Sequence, residues 1–174
     1  MQILVTGGLG YIGSHTTVEL LQKEFDVVIV DDLSNSKLNV FDKIKKITGK
    51  NPKLEIIDLK DKIEVEKLFR DFNFDGIIHF AAHKSVGESV NFPEKYFKNN
   101  IGALENLLEN IDEEMYFIFS SSCTVYGQAD RMPITENFPI KKSESPYGET
   151  KQICEGILKK FCEVNPFFNN ITLR

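Results

Sequence analysis

The first two dozen residues constrain the fold more than any other segment. Ile3-Leu4-Val5 is a short β-type run. It breaks into Thr6-Gly7-Gly8-Leu9-Gly10, and Tyr11 to Lys23 then reads as a helix. A strand that passes through a glycine-rich turn straight into a helix starts a β-α-β unit. The alternation continues along the chain. Val27-Val28-Ile29-Val30 is a continuous apolar run stopped by Asp31-Asp32, as suits a parallel strand covered on both faces. Asn35 to Lys50 is polar and lysine-rich, predicting a loop and an exposed helix. Leu54-Glu55-Ile56-Ile57 predicts a third strand ending at Asp58.

Asp61 to Phe72 repeats apolar residues at helical period, through Ile63, Val65, Leu68, Phe69 and Phe72. Gly76 to Ala81 predicts a fourth strand. Pro93 opens a helix, a placement its fixed φ favours, with a stripe of Phe97, Ile101, Leu104, Leu108 and Ile111. Tyr116-Phe117-Ile118-Phe119 predicts a fifth strand running into Ser120-Ser121-Ser122. Residues 127 to 145 are turn-rich. Ser145-Pro146 starts a last helix with Ile153, Ile157, Leu158 and Phe161 inward, and Ile171-Thr172-Leu173 predicts a sixth strand. The expected fold is α/β: one doubly wound parallel sheet of Rossmann type in a three-layer α/β/α sandwich. No repeat or low-complexity segment interrupts it. The sixth strand runs to Arg174 itself, which reads as a domain continued by further chain, the 174 residues being one unit.

Composition excludes several functions. The net charge of −5 opposes binding to a nucleic-acid backbone. No apolar run approaches the length of a membrane span, and the amino terminus lacks the pattern of an export signal. With an odd number of cysteines, Cys123, Cys154 and Cys162, and no CxxC pair, reduced thiols in a cytoplasmic protein are expected. His79 and His83 stand four apart, but strand and loop separate them and nothing nearby completes a ligand set, so no metal is expected.

In an open α/β sheet ligands lie beyond the carboxyl ends of the strands, and the polar signals gather there. Gly7-x-x-Gly10-x-x-Gly13 joins strand to helix. Glycines there allow a tight turn, close backbone approach to a pyrophosphate and close helix packing, while the helix N-terminus offers N–H groups. Asp31 at the second strand end suits the hydroxyls of an adenosine ribose and repels a 2′-phosphate. The arginines Arg70, Arg131 and Arg174 are distant, and Lys37 is the nearest following cation, so the expectation is NAD rather than NADP. Asp58 is a candidate adenine partner.

Tyr147-x-x-x-Lys151 places two side chains on one helix face. Ser122 ends the fifth strand, within reach of the same cleft. A cation about 4–5 Å from a phenol contributes roughly 3–4 kcal/mol at an effective dielectric near 20, and lowers the phenol from about 10 towards 7–8. Tyr147 is then a candidate general base, Lys151 its cationic partner and a ribose ligand, and Ser122 the group that hydrogen-bonds the reacting hydroxyl and relays its proton.

These motifs together resemble the extended short-chain dehydrogenase/reductase family. Within it the chain is similar to the UDP-glucose 4-epimerases over the stretches Leu4–His15, His79–Ala81, Lys84–Val90, Phe119–Gly127 and Ser145–Lys151. Related dehydratases carry an acidic pair after the serine or threonine of the fifth strand end. Here Cys123-Thr124 stands in that place. The resemblance covers the amino-terminal part of such an enzyme and implies a further small domain that grips uridine. It places Tyr11 and Ile12 at the pyrophosphate, and Asp31, Asp32, Leu33, Ser34, Asn35 and Ser36 at the adenosine ribose. Asp58 and Leu59 flank adenine. Phe80, Ala81, Ala82, His83 and Lys84 line the cofactor groove with Asn99 near them. Ser122, Tyr147 and Lys151 are catalytic, and Lys84, Ser122 and Tyr147 face the substrate.

The implied reaction interconverts UDP-glucose and UDP-galactose. Tyr147 takes the proton of the sugar 4-hydroxyl, hydride passes to NAD, and the 4-keto sugar turns over before hydride returns. Members of the family pair as homodimers through two helices per subunit. The stripes of Phe97, Ile101, Leu104 and Leu108 and of Ile153, Ile157 and Phe161 suit that role or the covering of the sheet equally. Two other readings stand beside this one: a related enzyme acting on another nucleotide sugar, or an NAD-binding unit without activity of its own.

Overall fold

The computed structural model describes residues 1–112 and 114–174. Six strands alternate with helices: β1 (Gln2–Thr6), β2 (Asp26–Val30), β3 (Lys53–Glu55), β4 (Gly76–His79), β5 (Met115–Ser120) and β6 (Phe168–Leu173). The helices are α1 (Tyr11–Gln22), α2 (Asn39–Thr48), α3 (Lys62–Asp71), α4 (Val86–Asn91), α5 (Pro93–Leu108) and α6 (Pro146–Val164), with a 3₁₀ turn at Cys123–Tyr126. The sheet order is β3-β2-β1-β4-β5-β6 and every pairing is parallel. This is the Rossmann-type fold expected from the alternation.

The strand order reverses between β1 and β4, so the crevice at that switch point lies between the ends of these two strands. Alternation within β1 feeds two cores. Leu4 joins Val28, Val30, Ile77, Phe117 and Phe119 beneath α3, α5 and α6. Ile3 and Val5 join Val27, Ile29, Leu21 and Ile44 beneath α1 and α2. The second helix layer is incomplete. On β5 and β6, Tyr116, Ile171 and Leu173 are 52–59% exposed.

Local chemistry sets the helix starts. Asp61 caps α3 by accepting from Ile63 N and Glu64 N. Ser145 caps α6 by accepting from Gly148 N, and Pro146 occupies the first turn. Three elements differ from the sequence expectation, and one of them is β4, which ends at His79 rather than Ala81. The third strand ends at Glu55, not Ile57, so Asp58 stands in the loop beyond it. Edge strand β3 pairs only with β2, whose register ends at Val30↔Glu55. Helix α4 is not predicted by apolar periodicity, because six residues are too few to show a period. Ser85, which accepts from Glu88 N, marks its start. The stripes on α5 and α6 cover the sheet: Leu104, Leu108 and Leu158 are buried in the core, with Ile101, Ile157 and Phe161 packed on it.

Candidate active site

The glycine loop sits at the switch point. Gly7 has φ +64°, and a Cβ there would stand 2.8 Å from Ala81 N in the segment after β4. Only glycine therefore lets the ends of β1 and β4 approach this closely. At Gly13 a Cβ would overlap the Gly7 carbonyl, so α1 packs directly on the loop. The N-cap of α1 is Gly10, which makes no side-chain cap, and the first turn holds no acid. Tyr11 and Ile12 are exposed there. This helix end is open and electropositive, the arrangement a pyrophosphate fits.

Asp31 is buried at the end of β2. Its Oδ2 accepts from Leu9 N at 2.9 Å, and its Oδ1 from Leu33 N at 3.0 Å and Ser36 Oγ at 2.6 Å. One carboxylate thus ties the glycine loop to the 31–36 segment. Asp32 accepts from Ser34 N and Ser34 Oγ in the same turn, and Asn35 is exposed beside it. Leu33, with φ +58°, makes the bend.

Asp58 and Asn99 meet at Lys60. Its ammonium lies 2.9 Å from Asp58 Oδ2 and donates to Asn99 Oδ1 at 2.9 Å. Burial raises the Asp58 carboxyl, but the Lys60 ammonium and N–H outweigh it and hold the group below its ordinary value. Leu59 points its side chain into the core. Its carbonyl accepts from Asn106 Nδ2. Phe80, Ala81, Ala82 and His83 follow β4 half-buried, and Lys84 is exposed.

Tyr147 and Lys151 are both buried on α6, and Ser122 stands half-buried at the start of the 3₁₀ turn. Lys151 Nζ donates to the Ser120 carbonyl at 2.7 Å and lies 4.6 Å from the centre of the Phe119 ring. Burial pulls its ammonium down to about 8. The expected drop of the Tyr147 phenol towards 7–8 does not occur in this chain. Burial raises it, the Ser122 hydroxyl works the other way, and Cys123 adds a smaller upward push. The Lys151 ammonium is turned to the Ser120 carbonyl and the Phe119 ring.

Several functional neighbours were not legible from motifs. Asn100 is 2% exposed on α5. Its amide donates to His83 O and Thr150 Oγ1 and accepts from His83 N and Asn99 Nδ2. It thereby joins the segment bearing Lys84 to the helix bearing Tyr147. A polar residue on the buried stripe of α5 was the available signal. His79 is buried in β4, with Nδ1 2.7 Å from Thr6 Oγ1 and its ring stacked on Phe119. Burial first, and Lys151 second, hold it neutral down to about 3. Ser121 bonds Glu155 on α6.

The sequence profile of the family described as GDP-mannose 4,6 dehydratase matches residues 4–173. The chain belongs to this family. Among its relatives, the UDP-glucose 4-epimerase of Dictyostelium discoideum is 44% identical over 175 residues, which cover 99% of this chain and 51% of that protein. UDP-glucose 4-epimerase uge1 of Schizosaccharomyces pombe is 46% identical over 178 residues, with 99% and 50% covered. A crystal structure of UDP-glucose 4-epimerase from Bifidobacterium longum in complex with NAD+ and UDP superimposes with a TM-score of 0.96 at 39% identity, covering 100% of this chain and 52% of that one. The chain spans about half the length of the curated relatives it matches.

Proposed function

We propose that this chain is the cofactor-binding part of an NAD-dependent UDP-glucose 4-epimerase, an isomerase that interconverts UDP-glucose and UDP-galactose in galactose metabolism. The observation that supports the reading is that Lys151, on the helix that bears Tyr147, reaches the carbonyl of Ser120 two residues before Ser122, in a chain whose Asp31 ties the glycine loop to the end of β2. The similarity to epimerases supports it. So does the sequence after Ser122, where Cys123-Thr124 supplies no acid to expel a leaving group.

The residues fit NAD. The open end of α1, with Tyr11 and Ile12, takes the pyrophosphate, and the Gly7 cradle has no room for a side chain between them. Asp31 to Ser36 take the adenosine ribose, Asp58 and the Leu59 backbone the adenine, and Phe80 to Lys84 with Asn99 the inner wall. Lys151 reaches the second ribose. NAD when bound accepts hydride from sugar C4 and returns it. Tyr147 takes the proton of the sugar 4-hydroxyl, Ser122 hydrogen-bonds that hydroxyl and relays its proton, and Lys84 faces the substrate. The phenol needs a cation close by to ionise near neutral pH, and Lys151 supplies one by swinging from Ser120.

For the 174 residues alone, as one NAD-binding unit, we expect bound NAD and weak or no turnover, since uridine contacts and exclusion of water require more of the pocket. The free cysteines Cys123, Cys154 and Cys162 suit a cytoplasmic protein. Homodimer pairing would use the outer faces of α5 and α6, where Phe97 and Ile153 remain partly exposed. Two assays test the function. Denaturing the purified chain should release NAD and not NADP. In the protein extended to the relatives' length, Tyr147→Phe should abolish interconversion while leaving NAD bound. NADP in the extract, or near-normal turnover by the variant, overturns the assignment.

A further inference from the structure

Asp58 and Asn99 are both held by Lys60. Its ammonium lies 2.9 Å from Asp58 Oδ2 and donates to Asn99 Oδ1 at 2.9 Å. The Lys60 N–H donates to Asp58 Oδ1, also at 2.9 Å. One residue thus binds both oxygens of the Asp58 carboxylate. A backbone turn fixes Lys60 in place: the Asp61 N–H donates to the Asp58 carbonyl, and the Asp61 side chain caps α3. Asn106, about two helical turns beyond Asn99 on α5, donates to the Leu59 carbonyl. One face of α5 therefore grips the 58–60 loop at two points.

The chain fixes which atom donates in each of these bonds. An ammonium only donates, so the Asn99 oxygen faces Lys60. The His83 N–H only donates and its carbonyl only accepts. Asn100 accordingly turns its oxygen to the first at 2.8 Å and its nitrogen to the second at 3.0 Å. The Asn99 nitrogen then meets the Asn100 oxygen at 3.1 Å. From Lys60 and from His83 alike, the Asn99 amide takes one orientation.

We propose that Lys60 is a positioning residue for NAD, which latches the Asp58 loop to α5 and so sets the Asp58 carboxylate and the Asn99 amide together in their cofactor-binding arrangement. The proposal deepens the reading of Asp58 and Asn99 as cofactor ligands and rests on it. The two stand on separate elements, one in the loop beyond the edge strand β3 and one on α5. Without the latch each side chain samples its own rotamers, and binding must order both. Lys60 adds affinity by preorganising its two partners rather than by a contact of its own with the nucleotide.

The test is NAD affinity, measured by titration calorimetry on the 174-residue chain freed of nucleotide. The Lys60 and Asp58 side chains are 38% and 45% exposed, so Lys60→Met strands no buried charge and should fold as the parent does. It should weaken NAD binding about three- to tenfold, the worth of one or two hydrogen bonds between partly exposed groups. Lys60→Arg keeps donors for both partners and should stay within about twofold of the parent. In an Asn99→Ala chain, Lys60→Met should cost less than half as much on a logarithmic scale, because one of the groups it positions is gone. Full affinity in Lys60→Met overturns the proposal. An equal loss with and without Asn99 also overturns it, since Lys60 then acts independently of that partner. A loss that Lys60→Arg does not restore does the same. The cofactor reading fails separately: an unsubstituted chain that binds no NAD, or Asp58→Ala and Asn99→Ala chains that bind it at full affinity, overturn that reading whatever Lys60 does.

Discussion

The Glu155 carboxylate on α6 holds Arg174, at the end of β6, through a forked pair of charge-assisted hydrogen bonds. Arg174 Nε lies 3.0 Å from Glu155 Oε1, and Nη2 lies 2.7 Å from Oε2. The same carboxylate accepts from Ser121, while Arg174 Nη1 donates to Tyr126 Oη at 3.0 Å. Ser121, just before Ser122, and Tyr126, at the end of the turn after it, thus hang from one ion pair. The Glu155 side chain is only 11% exposed. Arg174→Ala leaves it buried without its main partner and should cost about 2–3 kcal/mol of folding stability in urea denaturation. Arg174→Lys should recover less than half of that, because an ammonium cannot fork.

Asn100 predicts a second loss. In Asn100→Ala the His83 N–H and carbonyl lose their partner, while the Thr150 hydroxyl keeps its bond to the Tyr147 carbonyl. Each unsatisfied group costs about 1–3 kcal/mol, and relaxation recovers part, so the expected destabilisation is roughly 3 kcal/mol. Hydrogen exchange should show faster opening of the His83 amide than of amides in β1.

His79 makes stability depend on acidity. The folded chain holds its imidazole neutral to about 3, whereas the unfolded chain protonates it near the ordinary value of 6.5. Between these values the unfolded state binds more protons. This contribution is therefore present above pH 6.5 and is lost as pH falls towards 3, at up to about 1.4 kcal/mol per pH unit. His79→Gln should flatten the dependence of the urea midpoint between pH 6.5 and 5, where most carboxylates stay ionised.

Lys151 trades stability against binding. Its burial draws the ammonium from 10.5 to about 8, so the folded state pays for that charge at neutral pH. Lys151→Met should leave the melting temperature at pH 7 unchanged or higher. The same variant should lose at least about tenfold in NAD affinity by titration calorimetry, the value of one charge-assisted hydrogen bond to a ribose.

Much of this site was legible because local sequence carries it. The Gly7 loop, Asp31 and the Tyr147–Lys151 spacing each sit within one or two elements, and the structure brings them to one end of the sheet. Glu155 and Asn100 were opaque. Their partners lie 34 and 50 residues away in Ser121 and Thr150, and no periodicity encodes a hydrogen bond across elements. The edges were hardest: β3 stops where β2 runs out of partners, and α4 is too short to show a stripe.

The alternation of apolar runs with helical stripes was sufficient for a parallel α/β sheet, because strand and helix periods are local properties of the chain. The glycines after β1 were sufficient for the close approach of the β1 and β4 ends, because only a bare backbone fits there. Proton chemistry was another matter. Tyr147 and Lys151 share a helix face, yet the Lys151 ammonium is spent on Ser120 and the ring of Phe119, and burial carries Tyr147 upward. The state of a buried ionisable group depends on desolvation and on where each neighbouring dipole points, and only the packed structure decides those.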